Sequence, residues 1–283
     1  MRRPAFLLML LLLVAMVAGC GPLAGGHGNL ANTWTPPPAA TAFRPGVGVC
    51  FDDVSDTASR ADYAPFDCAD RHVAETYYVG DLPGAGNDAA ALRTAYAECS
   101  DRAVAFAGGV PRSGRLAVRP VLPGPAEWAA GSRWFRCDLS EVDVGTGAPV
   151  GRTGTLRGSF EALRLRCFDA QLAGDTVRAM TPVSCDRGHD AEFAGRWQAP
   201  AAGPVIADDD PRLARGCRRT IAAFAGLPDD ADLQYRVGWL AFAPDTTWDL
   251  GERAVQCFLW RDGATMRGSY AGAGPGKLPV TSG

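Results

Sequence analysis

The sequence predicts an α+β fold built as two tandem homologous domains, each with one main helix packed on a small, mostly antiparallel sheet and stapled by disulfides. Three observations carry this expectation. A set of motifs recurs at a period of about 117 to 120 residues. Eight of the nine cysteines divide four and four between the recurrences. Each recurrence holds one run of helical periodicity among several short strand-like runs.

The N-terminus sets the expected compartment. Arg2 and Arg3 precede an apolar run, Phe6 to Val17, that suits a signal peptide and is short of the roughly 20 residues a spanning helix needs. It ends in Val17-Ala18-Gly19-Cys20, which looks like a bacterial lipobox. Residues 1–19 are then the cleaved lipoprotein signal peptide, and Cys20 carries diacylglycerol and palmitate. Two or more acyl chains anchor stably where one does not. Residues 20–45, rich in Gly, Pro and Ala, read as a flexible tether. The expected location is the extracytoplasmic face of the cell membrane, held by the lipid.

Cysteine arithmetic agrees. Setting Cys20 aside leaves Cys50, Cys68, Cys99, Cys137, Cys167, Cys185, Cys217 and Cys257, and an exported chain keeps such residues oxidised. Four cysteines per unit allow three pairings. Joining neighbouring elements is the simplest: Cys50–Cys68, Cys99–Cys137, Cys167–Cys185 and Cys217–Cys257.

The recurrence is detailed. Cys50-Phe51-Asp52 answers Cys167-Phe168-Asp169. Cys-x3-His-x2-Glu follows at Cys68/His72/Glu75 and Cys185/His189/Glu192, then Cys-x6-Phe-Ala-Gly from Cys99 and from Cys217. Trp-x2-Gly-x-Arg-x3-Cys comes next, at Trp128/Gly131/Arg133/Cys137 and Trp248/Gly251/Arg253/Cys257. Arg157-Gly158-Ser159-Phe160 and Arg267-Gly268-Ser269-Tyr270 read as the closing motif. The domains are placed at 46–161 and 162–272, with a disordered tail at 273–283. The spacing predicts a helix from Asp88 to Phe106, stopped by Gly108-Gly109, and a second after Asp210-Pro211. Strands are expected around Cys50, 77–79, 116–121, 133–139, 163–167, 233–242 and 253–260.

Composition excludes some functions. The net charge of −3, or −5 without Arg2 and Arg3, and the lack of a basic block argue against nucleic-acid binding. Lys277 is the one lysine and lies in the Gly/Pro-rich tail, which argues against a lysine nucleophile. No cofactor motif is present.

The chemical candidates are His72, Glu75, His189 and Glu192, with Trp128, Arg133, Trp248 and Arg253. A thiolate, imidazole and carboxylate could ligate a metal, but the compartment favours disulfides, and one cysteine with one histidine leaves the ligand set incomplete. A His–Glu pair could serve acid–base catalysis, but no Gly-x-Ser-x-Gly or other local nucleophile signature accompanies it. The reading favoured for the pair is a turn fixed by hydrogen bonds beside a disulfide. For Trp and Arg, a binding surface competes with the favoured arrangement of core tryptophan under stacked arginine. Asp208-Asp209-Asp210 reads as a solvated approach to a helix N-terminus.

The ordered set Gly48-Val49-Cys50-Phe51-Asp52, Cys68/His72/Glu75, Cys99, Trp128/Gly131/Arg133/Cys137 and Gly158-Ser159 resembles the actinobacterial septum formation domain family. The likeness covers about 46–160 and 163–272; Leu165-Arg166 and Gly188 depart from it in the second recurrence. It implies an exported protein with a role at the division septum, and it specifies no reaction or catalytic residue. The function expected is therefore a non-enzymatic, membrane-anchored binding or scaffolding protein of the cell envelope, with an unidentified envelope or division protein as partner. An envelope hydrolase or transferase using a His–Glu pair, and a metal-binding lipoprotein, are the alternatives.

Overall fold

Two aspartates begin the helices and two glycines end them. The computed structural model describes residues 42–280 except 56, 83–85, 175, 202, 204–209 and 245; Cys20, the apolar run and Asp208-Asp209 lie outside the described residues. Helix α1 spans Ala89–Ala107 and α2 spans Pro211–Ala225. The Asp88 carboxylate accepts from the amides of Ala90 and Ala91, and that of Asp210 accepts from Arg212, satisfying donors that a helix start leaves open. Gly108 and Gly226 terminate the helices at φ +85° and +67°, a conformation glycine adopts without a Cβ clash.

The N-terminal half contributes β1 (Val49–Phe51), β2 (Thr57–Ala58), β3 (Ala74–Asp81), β4 (Leu116–Pro123) and β5 (Trp134–Glu141). The C-terminal half contributes β6 (Cys167–Ala173), β7 (Thr176–Val183), β8 (Ala191–Gln198), β9 (Gly238–Phe242) and β10 (Ala254–Trp260). The sheets have the orders β1-β3-β5-β4-β2 and β7-β6-β8-β10-β9. Four strands correspond: β1-β3-β5-β4 with β6-β8-β10-β9. Their pairings are antiparallel, and β2 joins β4 in parallel. The extra strand lies outside β4 in one sheet and outside β6 in the other.

Four disulfides join Cys50–Cys68, Cys99–Cys137, Cys167–Cys185 and Cys217–Cys257. Cys99 and Cys217 lie on the buried faces of α1 and α2, and Cys137 and Cys257 on the central strands β5 and β10. Each helix is thus bolted to the middle of its sheet, with all four cysteines fully buried.

Several expectations change. Where the sequence predicts a strand over 163–167, Phe160–Leu163 is a helical turn and β6 starts at Cys167. Leu233–Tyr235 is a 3-10 turn, so β9 starts at Gly238. β7 pairs with β6 as an edge hairpin whose apolar residues are mostly half exposed. The tail is ordered at 273–280: Gly274–Lys277 form a helical turn and Leu278 is fully buried, its carbonyl accepting from Arg236 Nη1 (2.8 Å). The tether gives way to packed chain by Phe43, whose carbonyl accepts from Trp134 Nε1 (2.7 Å) and Ser132 Oγ (3.2 Å). Both sheets belong to one compact unit of the described residues. Among the described residues no helix is long and apolar enough to cross a membrane.

Candidate functional site: the His–Glu clasp and the Trp–Arg turn

The Cys-x3-His-x2-Glu motif runs from a disulfide into β3 or β8. In the N-terminal half, His72 exchanges backbone hydrogen bonds with Arg152 (2.9 and 2.8 Å), and the Gly154 amide donates to the Cys68 carbonyl. In the C-terminal half, His189 exchanges them with Met266 (3.1 and 2.7 Å), and Gly268 donates to Cys185. The Nδ1 atoms lie 2.8 Å from Asp70 O and 2.9 Å from Arg187 O. A carbonyl only accepts, so each Nδ1 carries a proton and donates. Both rings are almost wholly buried, and neither Nε2 has a protein hydrogen-bond partner.

The glutamates complete the clasp. Glu75 Oε1 accepts from Thr155 Oγ1 (2.7 Å) and Oε2 from the Leu156 amide (2.6 Å). Glu192 Oε1 accepts from Ser269 Oγ and Oε2 from the Tyr270 amide (2.8 Å). Charge-assisted bonds of this kind are roughly twice as strong as neutral ones. Two residues further on, the Gly158 and Gly272 amides donate to Phe106 and Phe224, the phenylalanines of the Phe-Ala-Gly motifs. Each clasp therefore fastens the end of its half to the start of β3 or β8 and to the helix C-terminus.

These contacts correct the closing motif. Gly154-Thr155-Leu156-Arg157-Gly158 occupies the place of Gly268-Ser269-Tyr270-Ala271-Gly272, so the alignment of Arg157-Gly158-Ser159-Phe160 with Arg267-Gly268-Ser269-Tyr270 is four residues out of register. Both glycines of each stretch have positive φ, +78° and +67° against +69° and +63°. That backbone requirement, rather than the shared Arg-Gly-Ser, defines the turn.

One sulfur-to-carboxylate grouping has metal-like spacing. The Sγ atoms of Cys50 and Cys68 and a Glu75 oxygen lie within 4.8 Å of one another, as do those of Cys167, Cys185 and Glu192. The histidines are not in these groups, the sulfurs are bonded to each other, and the carboxylates are engaged by the closing turns. A disulfide offers no thiolate to a cation.

The Trp-x2-Gly-x-Arg motif is a locked turn. The Arg133 guanidinium lies 3.9 Å from the centre of the Trp128 ring and donates to the Trp128 and Ser132 carbonyls. Arg253 repeats this 4.1 Å from Trp248, donating to the Trp248 and Glu252 carbonyls. Trp248 is buried and Trp128 half-buried. The C-terminal turn also reaches α1: Arg93 Nε donates to Asp249 O (2.9 Å), Tyr96 Oη donates to Glu252 Oε2 (3.1 Å), and Leu250 packs on the N-terminal core. Burial and the Glu252 charge push the Tyr96 hydroxyl well above the ordinary tyrosine range. Arg112 adds bonds to the carbonyls of Phe242 (2.9 Å) and Ala254 (3.0 Å), and Gln256 Nε2 returns one to Arg112 O (3.0 Å).

The N-terminal sheet also carries a buried polar network. Asp138 accepts from Thr76 Oγ1 (2.7 Å) and Arg136 Nη2 (2.7 Å), while Arg136 lies 4.4 Å over Phe51. Burial pushes the Asp138 carboxyl up, against the pull of Arg136 and Thr76. Alternation along β5 puts Arg136 and Asp138 on a face that reads as solvent-facing; both are in fact buried.

A family model described as septum formation matches residues 47–257. The match is one continuous span through both cysteine-rich halves, from just before Cys50 to Cys257. Neither a curated protein nor a solved structure matches the chain.

Proposed function

The chain belongs to the septum formation family, and from that premise we propose that it is a lipoprotein, anchored through Cys20, that binds or scaffolds other proteins of the envelope during septum formation without catalysing a reaction. The observation that carries the non-enzymatic reading is the state of the His–Glu pairs. Both carboxylate oxygens of Glu75 and of Glu192 are spent on a closing turn, and the imidazoles lie under the surface, where a substrate does not reach. The shared strand order, the paired disulfides and the two clasps support a further reading, that residues 46–161 and 162–272 are homologous tandem domains. The lipid anchor rests on the apolar run and on Val17-Ala18-Gly19-Cys20.

The test is localisation of the tagged full chain in dividing cells, beside C20A and an H72A/H189A variant. Enrichment at the septum and co-purification of division proteins are expected. C20A should leave the membrane fraction, and the histidine variant, where folded, should keep its place and partners. Uniform distribution with no division partner would sink the septal role, and loss of function in a folded histidine variant would sink the non-enzymatic one.

A further inference from the structure

The contact between the two halves has a counterpart that none of the described residues fills. In the N-terminal half, Tyr96 on α1 and Arg112 on the 3-10 turn after it hold the Trp248–Arg253 turn and the adjoining strand ends. Aligning Cys99 with Cys217 places Ala214 at the Tyr96 position and Arg218 at that of Ser100. The strand pairings β4–β5 and β9–β10, registered on Cys137 and Cys257, place Leu233 at the Arg112 position and Val237 at that of Leu116. Ala214, Arg218, Ile221, Leu233, Val237 and Trp239 line a groove of about 250 Å³. The face by which the N-terminal half grips a turn is thus an apolar groove in the C-terminal half.

We propose that this groove receives a turn from a partner protein, one that presents a large apolar side chain, preferably aromatic, followed by a carboxylate. This deepens the binding reading above and rests on it. The internal contact supplies the pattern: Leu250 packs on the apolar surface and Glu252, two residues on, accepts from the buried Tyr96 hydroxyl, a donor that Ala214 lacks and that Arg218, one helical turn along, replaces. The groove alters both terms. Alanine in place of tyrosine leaves room for a side chain larger than leucine. Arginine in place of serine puts a positive charge at the rim, and Arg218 donates to the neutral Asp230 carbonyl (2.9 Å), so that bond does not neutralise it.

A second copy of this chain fits less well. Its matching element is the Trp128–Arg133 turn, with Ala130 at the Leu250 position and Ser132 at that of Glu252. The strand ends that flank the turn in the internal contact, at Phe242 and Ala254, correspond to Val121 and Trp134, which are buried with Ala58 and Phe43. That half of the contact surface is already covered.

The probe is a fluorescein-labelled peptide of residues 244–256 carrying L250F, titrated by anisotropy against the full chain in detergent. Saturable binding is expected. It should be abolished by A214W, which fills the groove, and weakened roughly two- to fivefold by R218S, the scale of an exposed ion pair. Placing L250S in the probe instead should abolish binding with the protein untouched, so misfolding cannot mimic the result. A photoreactive version should cross-link within 214–239. Absence of binding, indifference to A214W and R218S, or cross-links on α1 would overturn the proposal. So would self-association of the full chain that A214W prevents, since a second copy would then be the occupant. Septal localisation is read independently, so either result can fail without the other.

Discussion

Strands β3 and β5 of the N-terminal half and β8 and β10 of the C-terminal half place their residues in the same register and fill the same space with different chemistry. Thr76 faces Asp138 across one pair, and Phe193 faces Phe258 across the other. Arg136 lies over Phe51 where Gln256 and the edge-to-face Phe168–Phe258 pair stand in the C-terminal half. A hydrogen-bonded charge network is exchanged for an aromatic cluster that also takes in Phe193 and Phe242. A second exchange reverses size across a strand pair. Gly80 faces Phe135, whose ring occupies the space a Cβ would need, while Trp197 faces Val255 and its indole lies against Gly216. The lesson is that disulfide, clasp and helix cap hold the backbone, and volume and hydrogen bonding are balanced locally between facing residues.

The sharpest way to break this comparison is to remove one charge. D138A leaves Arg136 buried without its partner and should cost about 3–5 kcal/mol in denaturant unfolding. The triple variant T76F/R136Q/D138F, which transplants the aromatic solution, should stay within roughly 1–2 kcal/mol of the parent. A D138A variant as stable as the parent would remove the network from the account of stability.

The clasps should respond alike. E75A and E192A each strip a charged acceptor from a buried amide and a hydroxyl, and each should lose about 2–3 kcal/mol in thermal or chemical unfolding. Glutamine should restore part of it. Unequal losses would mean that the two closing turns are fastened differently.

The contact between the halves is weaker. R112A uncovers the Phe242 and Ala254 carbonyls and should cost about 1–2 kcal/mol, with faster proteolysis between the halves. Unchanged proteolysis would show that Tyr96 and Leu250 suffice.

The smallest effect is in pH. The raised Tyr96 value means that the folded chain keeps this proton after an unfolded chain has released it. Its stabilisation is complete below the ordinary tyrosine pKa of about 10 and is lost as pH climbs through the folded value. Y96F should flatten the alkaline arm of the stability curve and change neutral stability by about 1 kcal/mol. An alkaline arm as steep in Y96F as in the parent would assign that slope to another group.

Much of this was legible in the residues. Asp88, Asp210, Gly108 and Gly226 mark the helix ends because capping is a local matter of a few atoms. Placing cysteines on neighbouring elements also led to the pairing seen. The clasp was legible as a bonded turn beside a disulfide, but not its partner, because residues 155–156 and 269–270 lie about 80 residues along the chain. The closing motif misled for a related reason: Arg-Gly-Ser recurs, but the turn is defined by which glycines take positive φ. The burial of Arg136 and Asp138 was not legible, because alternation along a strand reports a polar face and cannot report that a distant segment covers it.

By itself the sequence determined the class of fold, the two helices, the cysteine framework and the family. These depend on short-range periodicity, capping and spacing. Only the tertiary structure decided that both halves lie in one compact unit, that His72 and His189 sit inside clasps, and that one helix face is gripped while its counterpart is a groove. Those outcomes depend on the shapes of surfaces brought together from distant parts of the chain, which short-range periodicity and spacing do not report.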